Sequence, residues 1–97
     1  MTKYIVLFDG KSDKPLSKEL QASHVEHIKN LDNNNVLFLC GPFRNRDGIM
    51  QILLADTYEQ AEQYVLQDPF TSEGYFSKYT IYELIESNRA NNYLQKN

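Results

Sequence analysis

The sequence is short of cysteine and tryptophan and carries no surplus of positive charge. Its 97 residues contain a single cysteine, Cys40, so no disulfide can form within the chain. We interpret this thiol as a small buried apolar side chain. Tryptophan is absent, which excludes the Asn–Trp–His site of haem-degrading and antibiotic-type monooxygenases. The net charge is −3 and the basic residues are scattered, which argues against the basic face that binds nucleic acid.

Long apolar runs are also missing. No stretch approaches the roughly 20 apolar residues of a membrane-spanning helix. The apolar run near the start, residues 4–8, is much shorter than the core of a secretory signal. We therefore expect a cytoplasmic protein that does not associate with membranes. The hydrophobic share of 41% is that of a globular protein, and the length fits one domain.

Segments with strand and helix patterns alternate in the order βαββαβ. Apolar, β-prone runs at 4–8, 36–40, 49–55 and 77–86 predict strands. A helical pattern begins near Asp13 and Pro15 and ends at the asparagines before Val36, and a second extends from a capping box at Thr57 to Pro69. We predict an α+β, ferredoxin-like fold for residues 1–86, with a four-stranded antiparallel sheet and two helices on one face. Residues 87–97 are predicted to be a polar tail.

The predicted strands are apolar on both faces. A strand with one face in water should alternate apolar and polar residues, and residues 4–8 do not alternate. Leaving several such side chains in water would cost on the order of 10 kcal/mol at about 25 cal/mol per Å². That is comparable with the whole stability of a small domain. We therefore predict a homodimer that joins through its sheet faces as a dimeric α+β barrel.

The first helix carries a histidine on its apolar side. At about 3.6 residues per turn, His24 falls among Leu20, Ile28 and Leu31, whereas His27 lies at the edge of this stripe. A neutral imidazole suits general acid–base catalysis, although a hydrogen-bonded structural histidine is the more frequent role of such a residue. The two histidines lack an evident third ligand and no glycine-rich phosphate loop is present, so we predict no metal and no cofactor.

Two other positions are candidates for a site. Asp68 shares the inward face of the second helix with Ala61 and Val65, near the C-terminal end, where the helix dipole disfavours an anion. Asp68 either caps the Asp-Pro turn or orients an imidazole, as carboxylates do in His–Asp pairs. Arg44, which shares a polar loop with Arg46, either binds a substrate carboxylate or is simply solvated.

The order of several short motifs resembles the YCII-related (YciI-like) domain family over residues 3–85. The motifs are His24 in the first helix, Asn35 where the family usually has glycine, Gly41-Pro42 after the second strand, the capping box and Ala61 of the second helix, and Gln67-Asp68-Pro69-Phe70 followed by Gly74.

The resemblance implies a ferredoxin-like fold that dimerises into an α+β barrel similar to muconolactone isomerase. It also implies a cleft in which His24 and Asp68 form the functional pair, and activities that include removal of chloride from a chlorinated hydroxyquinol. The sequence departs from the family at Gln21, where an arginine often stands three residues before the histidine. An anionic substrate would then need another partner, such as Arg44.

These observations predict a small lyase or isomerase that needs no cofactor. His24 would move a proton on a small cyclic or enolisable substrate, and Asp68 would fix the tautomer of the imidazole. The alternative is a non-catalytic dimeric module that binds a small metabolite or acts as an accessory partner. RNA-binding domains share the βαββαβ order, but they need exposed sheet aromatics and basic surroundings, and residues 49–54 offer neither.

Overall fold

The computed structural model describes residues 1–96 and has the predicted α+β architecture. The strands are β1 (Thr2–Lys11), β2 (Leu37–Pro42), β3 (Ile49–Ala55) and β4 (Phe76–Glu83), and the helices are α1 (Lys18–Asn33), α2 (Tyr58–Gln67) and α3 (Pro69–Ser72). All neighbouring strands pair antiparallel in the order β2-β3-β1-β4. The ferredoxin-like prediction is confirmed, with one additional short helix, α3.

Helix α1 begins later than the sequence pattern indicated. Ser17 is its N-cap, and the Ser17 hydroxyl accepts a hydrogen bond from the Leu20 backbone N–H at 3.0 Å. The predicted start near Asp13 and Pro15 is wrong, because the serine side chain satisfies a free N–H group of the first turn. The helix ends where predicted, and Asn35 then adopts a left-handed conformation with φ 60°. Asparagine tolerates this conformation better than most residues.

Helix α3 follows α2 directly and was not predicted. Asp68 ends α2 and is also the N-cap of α3, with Pro69 in the first turn. Proline is favoured at that position because its missing N–H would have no partner there anyway. Residues 69–72 therefore form one helical turn that fixes Phe70 against the core, in a part of the chain where the sequence pattern indicated no element after Pro69.

The helix-covered face of the sheet holds the core. Val6 and Leu53 are completely buried there, and Val65 of α2 packs against them with no exposed surface. Partly exposed apolar side chains pack around this core, and they include Leu20 and Ile28 from the apolar stripe of α1. The predicted apolar stripe of α1 therefore faces the sheet.

The opposite face of the sheet is apolar and carries no helix. One row crosses all four strands, with Leu39 opposite Ile52, Ile52 opposite Ile5, and Ile5 opposite Tyr82. We call this surface the open face. Leu39 is 43% exposed and Tyr82 is 56% exposed. The two-sided apolar character of the strands, which the sequence predicted, is therefore present in the structure.

The segment after β4 extends along the surface. Glu86 forms an ion pair with Lys3 at 2.7 Å, and a 3₁₀ segment occupies Arg89–Leu94. Its large apolar side chains are exposed. Residues 87–97 were predicted to be a tail, and the last of them, Asn97, lies outside the described residues. Within residues 1–96, no helix combines the length and the apolar character needed to cross a bilayer.

Candidate active site

His24 and Asp68 meet between the helices and the sheet. The imidazole Nδ1 lies 2.8 Å from Asp68 Oδ1, although the two residues are 44 positions apart. The Asp68 side chain is 1% exposed and the His24 side chain is 13% exposed. Because an ionised carboxylate only accepts hydrogen bonds, Nδ1 carries the proton and Nε2 presents its lone pair.

The carboxylate of Asp68 is anchored by two further donors. Its Oδ1 also accepts the Phe70 backbone N–H at 2.9 Å, and its Oδ2 accepts the Gln51 amide at 3.4 Å. Gln51 is 1% exposed, so its polar group sits in the core beneath the pair. As the N-cap of α3, the Asp68 anion lies at the favourable start of that helix as well as at the unfavourable end of α2. Asp68 is therefore held from three sides.

Phe70 fixes the plane of the imidazole. The rings of Phe70 and His24 stack with centroids 3.8 Å apart and an interplanar angle of 3°. Among residues 1–96 no hydrogen-bond partner is found for His24 Nε2, and this atom is not one of the fully buried unpaired polar atoms. Nε2 is thus unpaired among the described residues and is not fully buried.

Cys40 borders the same region. It pairs with Gln51 across β2 and β3, so both side chains belong to the helix-covered face. Cys40 is exposed, contrary to the sequence interpretation of a buried thiol, because β2 is an edge strand that α1 does not fully cover. Partial burial, followed by the Asp32 and Asp68 carboxylates, raises the pKa of the Cys40 thiol. The thiol therefore stays protonated near neutrality and is a weak nucleophile.

A cavity of about 250 Å³ shares one wall residue, Phe70, with the surroundings of the pair, although His24 and Asp68 do not line it. Pro42 of β2 and Ile49 of β3 form a pair across the two strands, and both line the cavity. This pair lies two residues along the strands from the pair of Cys40 and Gln51. Two residues of a strand span about 6.6 Å. Phe70 also lines the cavity, so one ring contacts both the imidazole and the cavity space. The other walls are largely aromatic and include Phe43, Tyr75 and Phe76.

Arg46, and not Arg44, lines this cavity. The Arg46 Nε donates to the Asp47 carbonyl at 2.9 Å, its Nη2 bonds the Asp9 carboxylate, and its guanidinium lies over the Phe43 ring. Gly48 makes room for this side chain. With φ 125°, a Cβ there would lie 2.9 Å from the Phe8 carbonyl oxygen and 3.2 Å from the guanidinium. Arg44 is exposed and forms no ion pair within residues 1–96.

His27 lies outside this constellation. Its Nε2 bonds the Tyr64 backbone carbonyl at 3.0 Å, which ties α1 to α2. Within residues 1–96, no three histidine, cysteine, aspartate or glutamate side chains gather into a group that could hold a metal ion. A structural role suits His27, and the chemistry of the region lies with His24, Asp68 and the residues around them.

Residues 2–85 match the sequence model of the YCII-related domain. The chain belongs to the YCII-related domain family. The match covers the whole sheet and both long helices, in agreement with the resemblance that the motifs indicated over residues 3–85. No curated protein matches the chain.

A solved structure similar to this YCII-related chain is the 5-chloro-2-hydroxyhydroquinone dehydrochlorinase TftG from Burkholderia phenoliruptrix AC1100, in complex with 2,5-dihydroxybenzoquinone. The TM-score is 0.63 with 18% sequence identity, and the similarity covers 90% of this chain and 97% of TftG. The similarity at this identity establishes a shared fold.

Three features of the site were not found from sequence. Gln51 was missed because it interrupts an otherwise apolar strand, and a polar residue in a core strand is the signal that could have found it. Phe70 was missed because the sequence pattern indicated no helix or strand between Pro69 and the last strand. Arg46 was considered only as the neighbour of Arg44, since sequence does not show which of two arginines in one loop turns toward the protein.

Proposed function

We propose that this protein is a small enzyme of lyase or isomerase type in which His24 transfers a proton on a small cyclic substrate. The observation that carries the proposal is the 2.8 Å contact between His24 and the buried Asp68, with the Nε2 edge left open. A carboxylate that holds Nδ1–H orients the imidazole as a base and stabilises the imidazolium that forms. TftG, an enzyme of similar fold, is named for its action on a substituted ring, which favours a substrate of that kind here.

The proposed reaction begins when His24 Nε2 takes a proton from the substrate. The electron pair of the broken bond forms a new double bond in the ring system. In an elimination a leaving group such as chloride then departs with its own pair, whereas in an isomerisation the imidazolium returns the proton to another carbon. In this proposal Asp68 offsets the charge that forms on His24, and the stacked Phe70 ring holds the plane of the imidazole.

The site is arranged before any substrate arrives. Asp68 is held by the Phe70 N–H and the Gln51 amide, and His24 is held by Asp68 and by the Phe70 ring. A base whose supporting groups are already fixed need not be reorganised during the reaction. The role of Arg44 as the partner of an anionic substrate remains a sequence-based proposal, and Arg46 is better placed because it lines the cavity.

The test compares the two histidines of α1. We expect purified protein to release chloride from 5-chloro-2-hydroxyhydroquinone or to exchange ring-bound hydrogen of an enolisable lactone with deuterated water. His24→Gln should lower either rate by about 10²–10⁴-fold, the usual contribution of a general base. His27→Gln is the control because it alters the same helix but not the pair. If neither reaction occurs, or if His24→Gln leaves the rate unchanged, the non-catalytic metabolite-binding module becomes the better description.

We further propose that the protein is a cytoplasmic homodimer joined through the open face. The centre of this face is apolar, and its ends are charged, with Lys3 over the Phe38 ring and Asp9 opposite Lys78. An apolar centre with a charged rim is the usual anatomy of a protein interface. A second copy would remove the exposed Leu39 and Tyr82 side chains from water.

Two lysine substitutions test this interface. Leu39 on the open face is 43% exposed, and Val25 on α1 is 42% exposed, so the two positions are matched in exposure. We expect sedimentation to show a dimer for the wild type and Val25→Lys and a monomer for Leu39→Lys, because only the last buries a charge between the sheets. A well-folded wild-type monomer at micromolar concentration would contradict the proposal.

A further inference from the structure

The geometry points to a specific ligand class for the cavity: a single planar ring that carries a carboxylate or a similar anionic group, bound with the anion on Arg46. This inference rests on the proposed function because it names the substrate class of the same site. It is a statement about binding, however, and it can be tested without any reaction.

The walls of the cavity select a flat ring. Phe70 lies 4.9 Å from Tyr75 and 5.8 Å from Phe76, measured between ring centroids, and all three line the cavity together with Phe43. Aromatic pairs prefer tilted or offset contacts of this kind, which a further ring can extend. The volume of about 250 Å³ is below the roughly 300–1,000 Å³ of pockets for drug-sized ligands, so it suits one ring with small substituents.

The charges at the cavity favour an anion. Its charged lining residues are the cations Lys11 and Arg46 and the anion Asp47. Asp47 holds Arg46 through its backbone carbonyl. Lys11 forms no ion pair within residues 1–96. A planar guanidinium beside aromatic walls is the group that recognises a carboxylate with two parallel hydrogen bonds.

Asp9 shows how a carboxylate meets this guanidinium. The Asp9 carboxylate bonds Arg46 Nη2 and the Asp47 carbonyl accepts from Nε, so three of the five N–H groups, one on Nη2 and two on Nη1, remain for a ligand. The Arg46 side chain is 53% exposed and the Asp9 side chain 33% exposed. Exposed ion pairs contribute only about 0–1 kcal/mol. A ligand carboxylate can therefore share or replace Asp9, and Asp9 acts as an internal competitor.

Phe70 links the cavity to His24, which does not itself line the cavity. Phe70 belongs both to the cavity wall and to the stack on His24. A ring anchored by its anion at Arg46 would pack against the same phenyl group that orients the imidazole. Arg46 is thus a specificity-determining residue in this proposal, whereas the proton transfer belongs to His24.

The test uses benzoate and its neutral analogue benzamide as probes. Each is titrated into the full-length, ¹⁵N-labelled protein at constant ionic strength, and the amide shifts report both affinity and location. We expect benzoate to bind at least about tenfold more tightly than benzamide, the effect of one charge-assisted hydrogen bond. The largest shifts should fall at Gly48, Ile49 and Tyr75, which line the cavity.

Matched variants assign the anion site. Arg46→Gln should remove the preference for benzoate, while Arg44→Gln, which removes the same charge from the same loop, should leave it unchanged. Asp9→Asn should tighten benzoate up to about fivefold by removing the competitor. Equal binding of the two probes overturns the inference. So does a preference for benzoate that survives Arg46→Gln or that is lost in Arg44→Gln. Amide shifts centred outside the cavity would also overturn it.

His24→Gln separates the two proposals. This variant should bind benzoate as the wild type does, since the imidazole is not among the groups that hold the anion. If it loses the reaction but the wild type shows no benzoate preference, the ligand class is wrong and the proton-transfer proposal stands. If the preference is present but no reaction depends on His24, the ligand class stands and the proposed function is wrong.

Discussion

Replacing Asp68 with alanine should destabilise the protein by about 2–4 kcal/mol, because two buried donors lose their acceptor. The Phe70 N–H and the Gln51 amide both bond this carboxylate, and an unpaired buried donor costs about 1–3 kcal/mol. We take the lower part of the range for Gln51, since its contact is 3.4 Å long. His24 adds little, because its side chain is 13% exposed and can reach water. The loss is a large share of the 5–15 kcal/mol typical of a domain.

Asp68→Asn should be much milder in the same assay. Its carbonyl oxygen can still accept from the Phe70 N–H and from His24 Nδ1–H, and the Gln51 amide can turn its oxygen toward the new NH₂ group. We expect a loss of about 1 kcal/mol. Urea unfolding at one fixed protein concentration measures all variants, because dimerisation would make stability depend on concentration.

Asp13→Ala is the control, since Asp13 is exposed and lies outside the network. Exposed substitutions of this kind usually stay within about 0.5 kcal/mol of the wild type. If Asp68→Ala proves as mild as Asp13→Ala, the carboxylate is not the acceptor that holds this part of the core together, and the reasoning about the site fails.

Two further predictions follow from groups with raised pKa values. Cys40 is exposed but should react slowly with iodoacetamide at pH 8, because partial burial of the thiol and two nearby carboxylates raise its pKa. Asp68→Asn should speed the reaction because it removes one of these carboxylates. A reaction as fast as that of an ordinary thiol in the wild type would contradict this. Tyr79→Phe should cost about 0.5–1.5 kcal/mol at neutral pH, since the Tyr79 hydroxyl donates to the Glu62 carboxylate at 2.9 Å. That bond, followed by burial, raises the pKa of Tyr79, so its stabilisation is present below pH about 10 and is lost as the folded-state phenol ionises above it. The stability difference between the two proteins should therefore be present at pH 7 and shrink at pH 11, and a difference that stays constant would refute the assignment.

Much of the fold could be predicted from the sequence because it depends on local periodicity. The apolar stripe of α1 and the two-sided apolar strands are properties of residue order, and both are present in the structure. They also explain why His24 and Asp68 were singled out, since each lies on the inward side of its helix. Helices that cover the same face of one sheet bring such side chains close together.

The contacts within the site could not be predicted, because they depend on packing between distant elements. The single turn α3 makes Asp68 an N-cap as well as the C-cap of α2, and the Phe70 N–H contact offsets the unfavourable dipole end of α2. Gln51 bonds this carboxylate from a strand whose apolar pattern gave it no special role. Arg46 reaches the cavity past Gly48, which has φ 125°. The Asp47-Gly48 pair indicated a turn, but it did not indicate which arginine of the loop would face the cavity.

The most direct test of the site is the protonation of His24 in the resting protein. Long-range ¹H–¹⁵N NMR correlations distinguish the two ring nitrogens at a pH where the imidazole is neutral. We expect the proton on Nδ1, held by the Asp68 carboxylate, with Nε2 bare and open to solutes. A proton on Nε2 would contradict this arrangement, because the only accessible nitrogen would then be unable to act as a base.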